Sequence, residues 1–261
     1  MTERDTGAVV VVTGANEGIG HHMLRTLVED GYRVAGFDVD VDGLESVEAA
    51  SPDRVHVAEC DVTDDEDVRT AVDAVLDRWG RIDVLVNNAA VFDFGLFADR
   101  TLADTRREFE VNFFGYLRLI HAVLPHMRTR GTGIVHNVSS GVASVGHPGL
   151  SGYTASKGAI EGLARTLREE LRHEDVWCTL MYPPATNTRS AAQLAYPEFA
   201  TSEPAAVGRK LARKIDSTGP VIYADWQTRL GMGLVRRVPW LARKGTERFL
   251  EPGDADEADE K

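Results

Sequence analysis

The sequence predicts a doubly wound α/β fold, a single parallel sheet with helices on both faces. Three observations carry this. Strand-like and helix-like segments alternate along most of the 261 residues. The first of them, residues 8–13, is a continuous run rich in β-branched residues with no polar alternation, which suits a strand buried on both faces of a parallel sheet. A glycine-rich turn, T-G-A-N-E-G-I-G, follows at once and opens a helix. Repeated strand–helix–strand units of this kind form parallel sheets.

The elements follow in order. The helix after the glycine turn runs to about residue 30 and is closed by Gly31. Residues 32–37 form the second strand and 54–59 the third. Residues 64–79 have helical spacing, with Gly80 as the C-cap. Residues 82–86 form the fourth strand, 102–127 a long helix, 133–138 the fifth strand, 152–173 a helix, 176–182 the sixth strand and 221–224 a short seventh. No repeat or linker marks a second unit. The chain therefore reads as a single domain over residues 1–251, with a substrate loop at about 185–203 and a helical segment at about 226–250. The acidic stretch 252–261 is expected to be a disordered tail.

Composition narrows the class of function. Asp and Glu total 41 against 29 Lys and Arg, a net charge of -12. That balance argues against nucleic-acid binding, which needs clustered positive charge. Only five of the basic residues are Lys, and strong acidity with little Lys suggests a halophilic protein, an ordinary acidic enzyme being the alternative. No apolar run is long enough to span a membrane, and the polar start M-T-E-R-D-T-G lacks the features of a secretion signal. Cys60 and Cys178 alone make neither a disulfide framework nor a metal cluster. A cytoplasmic location is expected.

The glycine turn places Gly14, Gly18 and Gly20, with Asn16 and Ile19 between them, at the junction of the first strand and first helix. Glycines there let the backbone approach a pyrophosphate, which lies at the positive end of the helix. Asp38 ends the second strand, 18 residues after Gly20. Its carboxylate can accept hydrogen bonds from the adenosine ribose hydroxyls and would repel a 2′-phosphate. The expected cofactor is accordingly NAD in preference to NADP. Asp61 and Val62 follow the third strand, where they can hold the adenine edge. N-N-A-A at 87–90 closes the fourth, where Asn88 and Ala89 would pack beside the cofactor.

Y-T-A-S-K sets Tyr153 and Lys157 four residues apart, on one helical face. A phenol titrates at about 10, too high for efficient proton transfer near neutrality, and a neighbouring ammonium favours the phenolate. Ser140, at the end of the fifth strand, can hydrogen-bond a reacting oxygen as charge develops on it. Asn112, a poor helix former inside the long helix, needs partners if buried, and a water-mediated path to Lys157 would give it one.

Taken together, T-G-A-N-E-G-I-G, Asp61, N-N-A-A, Asn112, S-S with Ser140 and Y-T-A-S-K resemble a classical short-chain dehydrogenase/reductase over residues 8–224. The resemblance implies a Rossmann fold, NAD(P)-dependent hydride transfer, no metal, and a homodimer or homotetramer. It implies a tetrad of Asn112, Ser140, Tyr153 and Lys157. Tyr153 would be the acid/base, Lys157 would lower its pKa and bind the nicotinamide ribose, Ser140 would orient substrate, and Asn112 would hold a relay water. Pro183, Thr186 and Thr188 fall where the family contacts the nicotinamide end and phosphates. Two positions depart from the pattern. Ala90 replaces a glycine, and Pro184 replaces the glycine after Pro183, which predicts an altered loop path.

Specificity is expected from residues 89–97, 141–150 and 185–203. Their side chains are mainly apolar, so a hydrophobic alcohol or ketone is the expected small-molecule substrate, with His147 at the rim. A sugar dehydrogenase of the same family and a non-catalytic NAD-binding sensor or scaffold are the alternatives. The basic, aromatic stretch 226–250 is read as a pocket cover or subunit contact in preference to a membrane-touching segment.

Overall fold

The computed structural model describes residues 7–240 apart from 195, 197 and 239. The strands are β1 (Val9–Thr13), β2 (Arg33–Asp38), β3 (Val55–Glu59), β4 (Val84–Asn87), β5 (Gly133–Val138), β6 (Val176–Tyr182) and β7 (Val221–Tyr223). They form one sheet in the order β3-β2-β1-β4-β5-β6-β7, and every neighbouring pair is parallel. The predicted doubly wound sheet is the observed one.

Alternation along each strand builds two apolar layers. In β1, Val9 and Val11 face a layer that contains α3 (Asp65–Trp79), α5 (Tyr116–Arg130) and α7 (Ser151–Glu170). Val10 and Val12 face the other layer, which contains α1 (Gly18–Glu29) and α8 (Pro204–Ala212). All five residues of β1 are buried, which is why its sequence shows no polar alternation. Each of its valines contributes about 1.5–3 kcal/mol by leaving water.

Local chemistry sets the helix ends. The Asp64 carboxylate accepts from the backbone N–H groups of Glu66 and Asp67 to start α3, and Gly80 ends it in the left-handed region at φ 71. The predicted helix 102–127 is corrected. It is α4 (Leu102–Phe109), a π-helical segment Glu110–Gly115, and α5. The wide turn is centred on Asn112, whose side chain is engaged off the helix as described below. The short helices α2 (Glu45–Ala50) and α6 (Val142–Val145), and the longer α8, lie in stretches that the sequence pattern leaves unassigned. Of the segment 226–250, residues Trp226–Arg237 form α9; residues 241–250 and the acidic tail 252–261 lie outside the described residues. Among the described residues no helix is long and apolar enough to cross a membrane.

The chain builds outward from β1 through β2 to β3, then crosses to β4 on the other side. Loops on either side of that reversal diverge and leave a crevice at the carboxyl ends of the strands. The site lies there.

Candidate active site

A cavity of about 920 Å³ opens at the carboxyl ends of the strands. It is lined from one side by Gly14, Gly18, Ile19, Asp38, Asp61, Val62, Asn88 and Ala89, and from the other by Ser140, Tyr153, Lys157, Pro183, Thr186 and Thr188. Three predicted site residues do not line it: Asn16, Gly20 and Asn112.

The glycine turn is held by close packing. Gly14 has φ 62 and Gly18 φ 61, the left-handed region that glycine tolerates. A Cβ on Gly14 would lie 2.8 Å from the Ala89 Cα, and one on Gly20 would lie 2.1 Å from the Gly14 carbonyl oxygen. Asn88 fastens the end of β4 to this turn. Its Nδ2 donates to the carbonyls of Thr13 and Gly14 at 3.0 Å, while Thr13 Oγ1 accepts from the N–H groups of Asn88 and Ala89. Gly20 thus serves packing of α1 against the turn and does not reach the cavity. Glu17 N-caps α1 without a side-chain hydrogen bond, so its carboxylate leaves the first amides, which carry the positive end of the helix dipole, uncapped.

Asn16 links the turn to β2. Its N–H donates to Asp38 Oδ2 at 2.8 Å, and its own Oδ1 accepts from the Gly43 N–H, which turns its carboxamide toward Gly43. Burial pushes the Asp38 carboxyl above its ordinary pKa, and the N–H donors of Asn16, Asp40 and Val39 draw it back. Asp61 Oδ1 accepts from both the N–H and the hydroxyl of Thr63 at 2.8 Å, which fixes its loop.

At the other end, Tyr153 stands in the first turn of α7 and Lys157 one turn later. Ser140, two residues past β5, lines the cavity together with Tyr153. The Phe92 ring packs 5.1 Å from the Tyr153 ring, centroid to centroid. Lys157 Nζ donates to Tyr116 Oη and to the Val138 carbonyl, each at 2.9 Å, and lies 5.7 Å from the Tyr153 ring centroid. Burial pushes Tyr153 up to about 12, an effect that Ser140 partly offsets, and it lowers Lys157 to about 7. Desolvation favours the neutral form of both groups, and the amine is directed to Tyr116 and Val138.

Asn112 is buried within the π-helical segment. Its Oδ1 accepts from the Val91 N–H, and its Nδ2 donates to the Val91 carbonyl, both at 2.8 Å, and to Ser156 Oγ at 3.1 Å. The carboxamide joins the segment after β4, which it pins beside α7. Pulling this side chain out of register accounts for the wide π turn around it.

The segment after β6 follows a path fixed by its own hydrogen bonds. Thr186 Oγ1 donates to the Pro184 carbonyl at 2.8 Å, Thr186 bridges to Ser202, and the Ser202 N–H donates to Ala185 O. Thr188 packs over the glycine turn, where a Cβ on Gly18 would meet its Cγ2 at 3.4 Å. His147, expected at the rim, is buried. Its two ring nitrogens lie 2.6 Å from the Pro148 carbonyl and from Tyr196 Oη.

The remaining wall mixes polar groups such as His147, Tyr196, Asp225 and Gln227 with an apolar part that includes Val142, Val145, Leu150, Leu194, Met232 and Val235. The last two come from α9, and Met232 Sδ lies 3.1 Å from where a Cβ on Gly141 would be. Through these two side chains α9 lines the cavity. Arg236 ties α9 down by donating to Ser144 Oγ and Tyr182 Oη, and Tyr182 and Ser139 both donate to the buried Glu161. Sequence reasoning missed Tyr116 and Glu161. The available signals were their positions, four residues after Asn112 and after Lys157 respectively, on helix faces that turn inward.

Comparison with known proteins bears on this geometry. Residues 8–198 match the family described as short chain dehydrogenase. The chain is 38% identical over 168 residues to L-fucose dehydrogenase of Bos taurus, a match spanning 64% of this chain and 62% of that protein's length. It is 30% identical over 223 residues to 3-alpha-(or 20-beta)-hydroxysteroid dehydrogenase of Mycobacterium tuberculosis, covering 85% of this chain and 84% of that one. Among solved structures, a 3-ketoacyl-(acyl-carrier-protein) reductase from Brucella melitensis complexed with NADH aligns with a TM-score of 0.76 at 25% identity, over 83% of this chain and 96% of that one.

Proposed function

The chain belongs to the short-chain dehydrogenase family, and on that footing we propose that it moves a hydride between NAD(H) and the carbinol or carbonyl carbon of a hydrophobic secondary alcohol or ketone, with Tyr153 as general acid/base. One observation carries the reading: Ser140, Tyr153 and Lys157 converge on the same cavity as the glycine turn and Asp38.

The residues present fit a nicotinamide dinucleotide. Gly14 leaves a close approach between the β1 turn and Ala89 that a Cβ would fill, and the α1 amides lack a side-chain cap. Gly14, Gly18, Ile19, Asp61, Val62, Asn88 and Ala89 would hold it, with Asp38 at the ribose and Pro183, Thr186 and Thr188 at the nicotinamide end. When bound, its nicotinamide supplies the hydride acceptor or donor. In ketone reduction the protonated phenol of Tyr153 gives its Oη proton to the oxygen that becomes the alcohol. In alcohol oxidation Tyr153 takes that proton. Ser140 Oγ orients the same oxygen and donates to it as negative charge develops. Lys157 contributes positive charge beside the phenol, and Asn112 positions the Val91–Phe92 segment against the Tyr153 ring.

Asp38 supports a preference for NAD over NADP, since a carboxylate there repels a 2′-phosphate. The apolar part of the wall supports a hydrophobic substrate. A sugar is the second reading, favoured by the similarity to a fucose dehydrogenase. A cytoplasmic, acidic, halophilic homodimer or homotetramer, with one domain over residues 1–251, completes the proposal.

A panel of hydrophobic secondary alcohols, a hydroxysteroid and L-fucose, each run with NAD and NADP, tests it at the nicotinamide absorbance. Hydrophobic alcohols should give the larger kcat/KM with NAD, and Tyr153→Phe should abolish turnover while nucleotide binding persists. A preference for L-fucose would transfer the assignment to the sugar reading. Unchanged turnover in Tyr153→Phe would sink the tyrosine assignment, and nucleotide binding with no turnover of any kind would favour a sensor or scaffold.

A further inference from the structure

A protonated lysine has three N–H donors. Two of those on Lys157 are spent inside the protein, on Tyr116 Oη and on the Val138 carbonyl, each at 2.9 Å. Tyr116 is buried, its ring centroid lies 4.8 Å from Nζ, and its hydroxyl in turn donates to the same Val138 carbonyl at 3.4 Å. Amine, phenol and carbonyl thus close a ring of hydrogen bonds at the floor of the cavity.

The π turn explains how Tyr116 reaches this place. One extra residue in a helical turn rotates everything after it by about 100° about the axis. Tyr116 is the first residue after that turn, and it shares its inward face with Leu119, Ile120 and Val123, all buried.

We propose that Tyr116 is a positioning residue for Lys157: its phenol oxygen holds the ammonium at the cavity floor, leaving one N–H to face the cavity beside Tyr153. The inference rests on the hydride-transfer reading, in which Lys157 acts next to the acid/base. The titratable groups that face Lys157 are Tyr116 from α5 and Tyr153 from its own helix, and the Val138 carbonyl approaches from β5. No ionic partner offsets its burial among the described residues. Burial holds the Tyr116 pKa well above that of an ordinary phenol, so Tyr116 remains a hydroxyl and acts by accepting the ammonium hydrogen bond, which favours the charged amine.

The chain has only five lysines, so NMR of protein carrying isotope-labelled lysine can follow each amine, with Lys157→Met assigning the Lys157 signal. In protein without added nucleotide, Tyr116→Phe should lower the Lys157 titration midpoint by about one pH unit, tenfold in its protonation equilibrium, and leave the other four in place. In turnover, the acid limb of kcat/KM for alcohol oxidation should move to higher pH. If Tyr116→Phe does not fold, Tyr116→Met removes the same oxygen at similar volume. A Lys157 midpoint that stays at its wild-type value in the folded variant overturns the proposal, even if the variant melts at lower temperature. A wild-type protein with no turnover would instead refute the hydride-transfer reading, while the lysine titration would still decide whether Tyr116 holds Lys157.

Discussion

The carboxylate of Glu108 occupies the space that a side chain on Gly152 would need. A Cβ there would lie 1.9 Å from Glu108 Oε2 and 3.3 Å from the Thr105 Cα. Glu108 cannot swing aside, because it is fully buried, its Oε1 accepts from the Asp93 N–H, and its Oε2 is 3.1 Å from Arg100 Nη2. Gly152 directly precedes Tyr153, so the packing of α4 on the first turn of α7 sets the position of Tyr153.

Gly152→Ala should therefore force α7 away from α4. The expected cost is about 1–3 kcal/mol of stability, with a fall in kcat/KM of about tenfold or more from the displaced phenol. Urea denaturation and steady-state rates measure the two. Wild-type values in both would mean that α4 yields to the methyl group.

His136 predicts a pH dependence of stability. It is fully buried between Thr179 Oγ1 at 2.6 Å and the Ile215 carbonyl at 2.7 Å. Burial lowers its pKa to about 4, against the smaller upward pull of the Ile215 carbonyl. In the unfolded chain the same imidazole titrates near 6.5. Between those values the unfolded state binds more protons, so the stability that the neutral imidazole contributes is complete above about 6.5 and is lost as pH falls toward 4. The loss attributable to His136 is about 3 kcal/mol. Denaturation midpoints at pH 7 and pH 4.5 should converge more closely in His136→Gln than in the wild type. An equal pH dependence in both would place the loss on other groups, His21, His22 and His56 being the next candidates because burial lowers their pKa values as well.

Asp38 is tied to the glycine turn through the Asn16 N–H, so its substitution acts twice. Asp38→Ser should bring NADPH binding to within about tenfold of NADH binding by removing a like charge, and it should also weaken NADH binding by loosening the turn. Titrations followed by nucleotide fluorescence measure both without a substrate. Tighter wild-type binding of NADPH than of NADH would contradict the proposed role of Asp38.

The parallel, doubly wound sheet and most of the cavity lining were legible because they depend on local patterns. Buried strands show unbroken apolar runs, Gly80 and Asp64 mark the ends of α3, and the glycine turn sits between a strand and a helix. What escaped depends on contacts distant in sequence. Asn112 was recognisable as a misfit in a helix, but its partners Val91 and Ser156 lie 21 and 44 residues away. Tyr116 owes its inward position to the π turn before it, which no local pattern in the sequence marks. Asn16 and Gly20 carry the right spacing for a binding turn, yet one turns to Gly43 and the other packs against Gly14.

The contribution of α9 has a consequence in time. Every described strand precedes α9 in the sequence, so translation supplies the residues of the sheet and glycine turn before those that cover the flank next to Gly141. Met232 and Val235 close that flank, and Arg236 fastens it to Ser144 and Tyr182, only once nearly the whole described chain has been made. Among the described residues, the side chains that cover this flank are thus among the last to be translated.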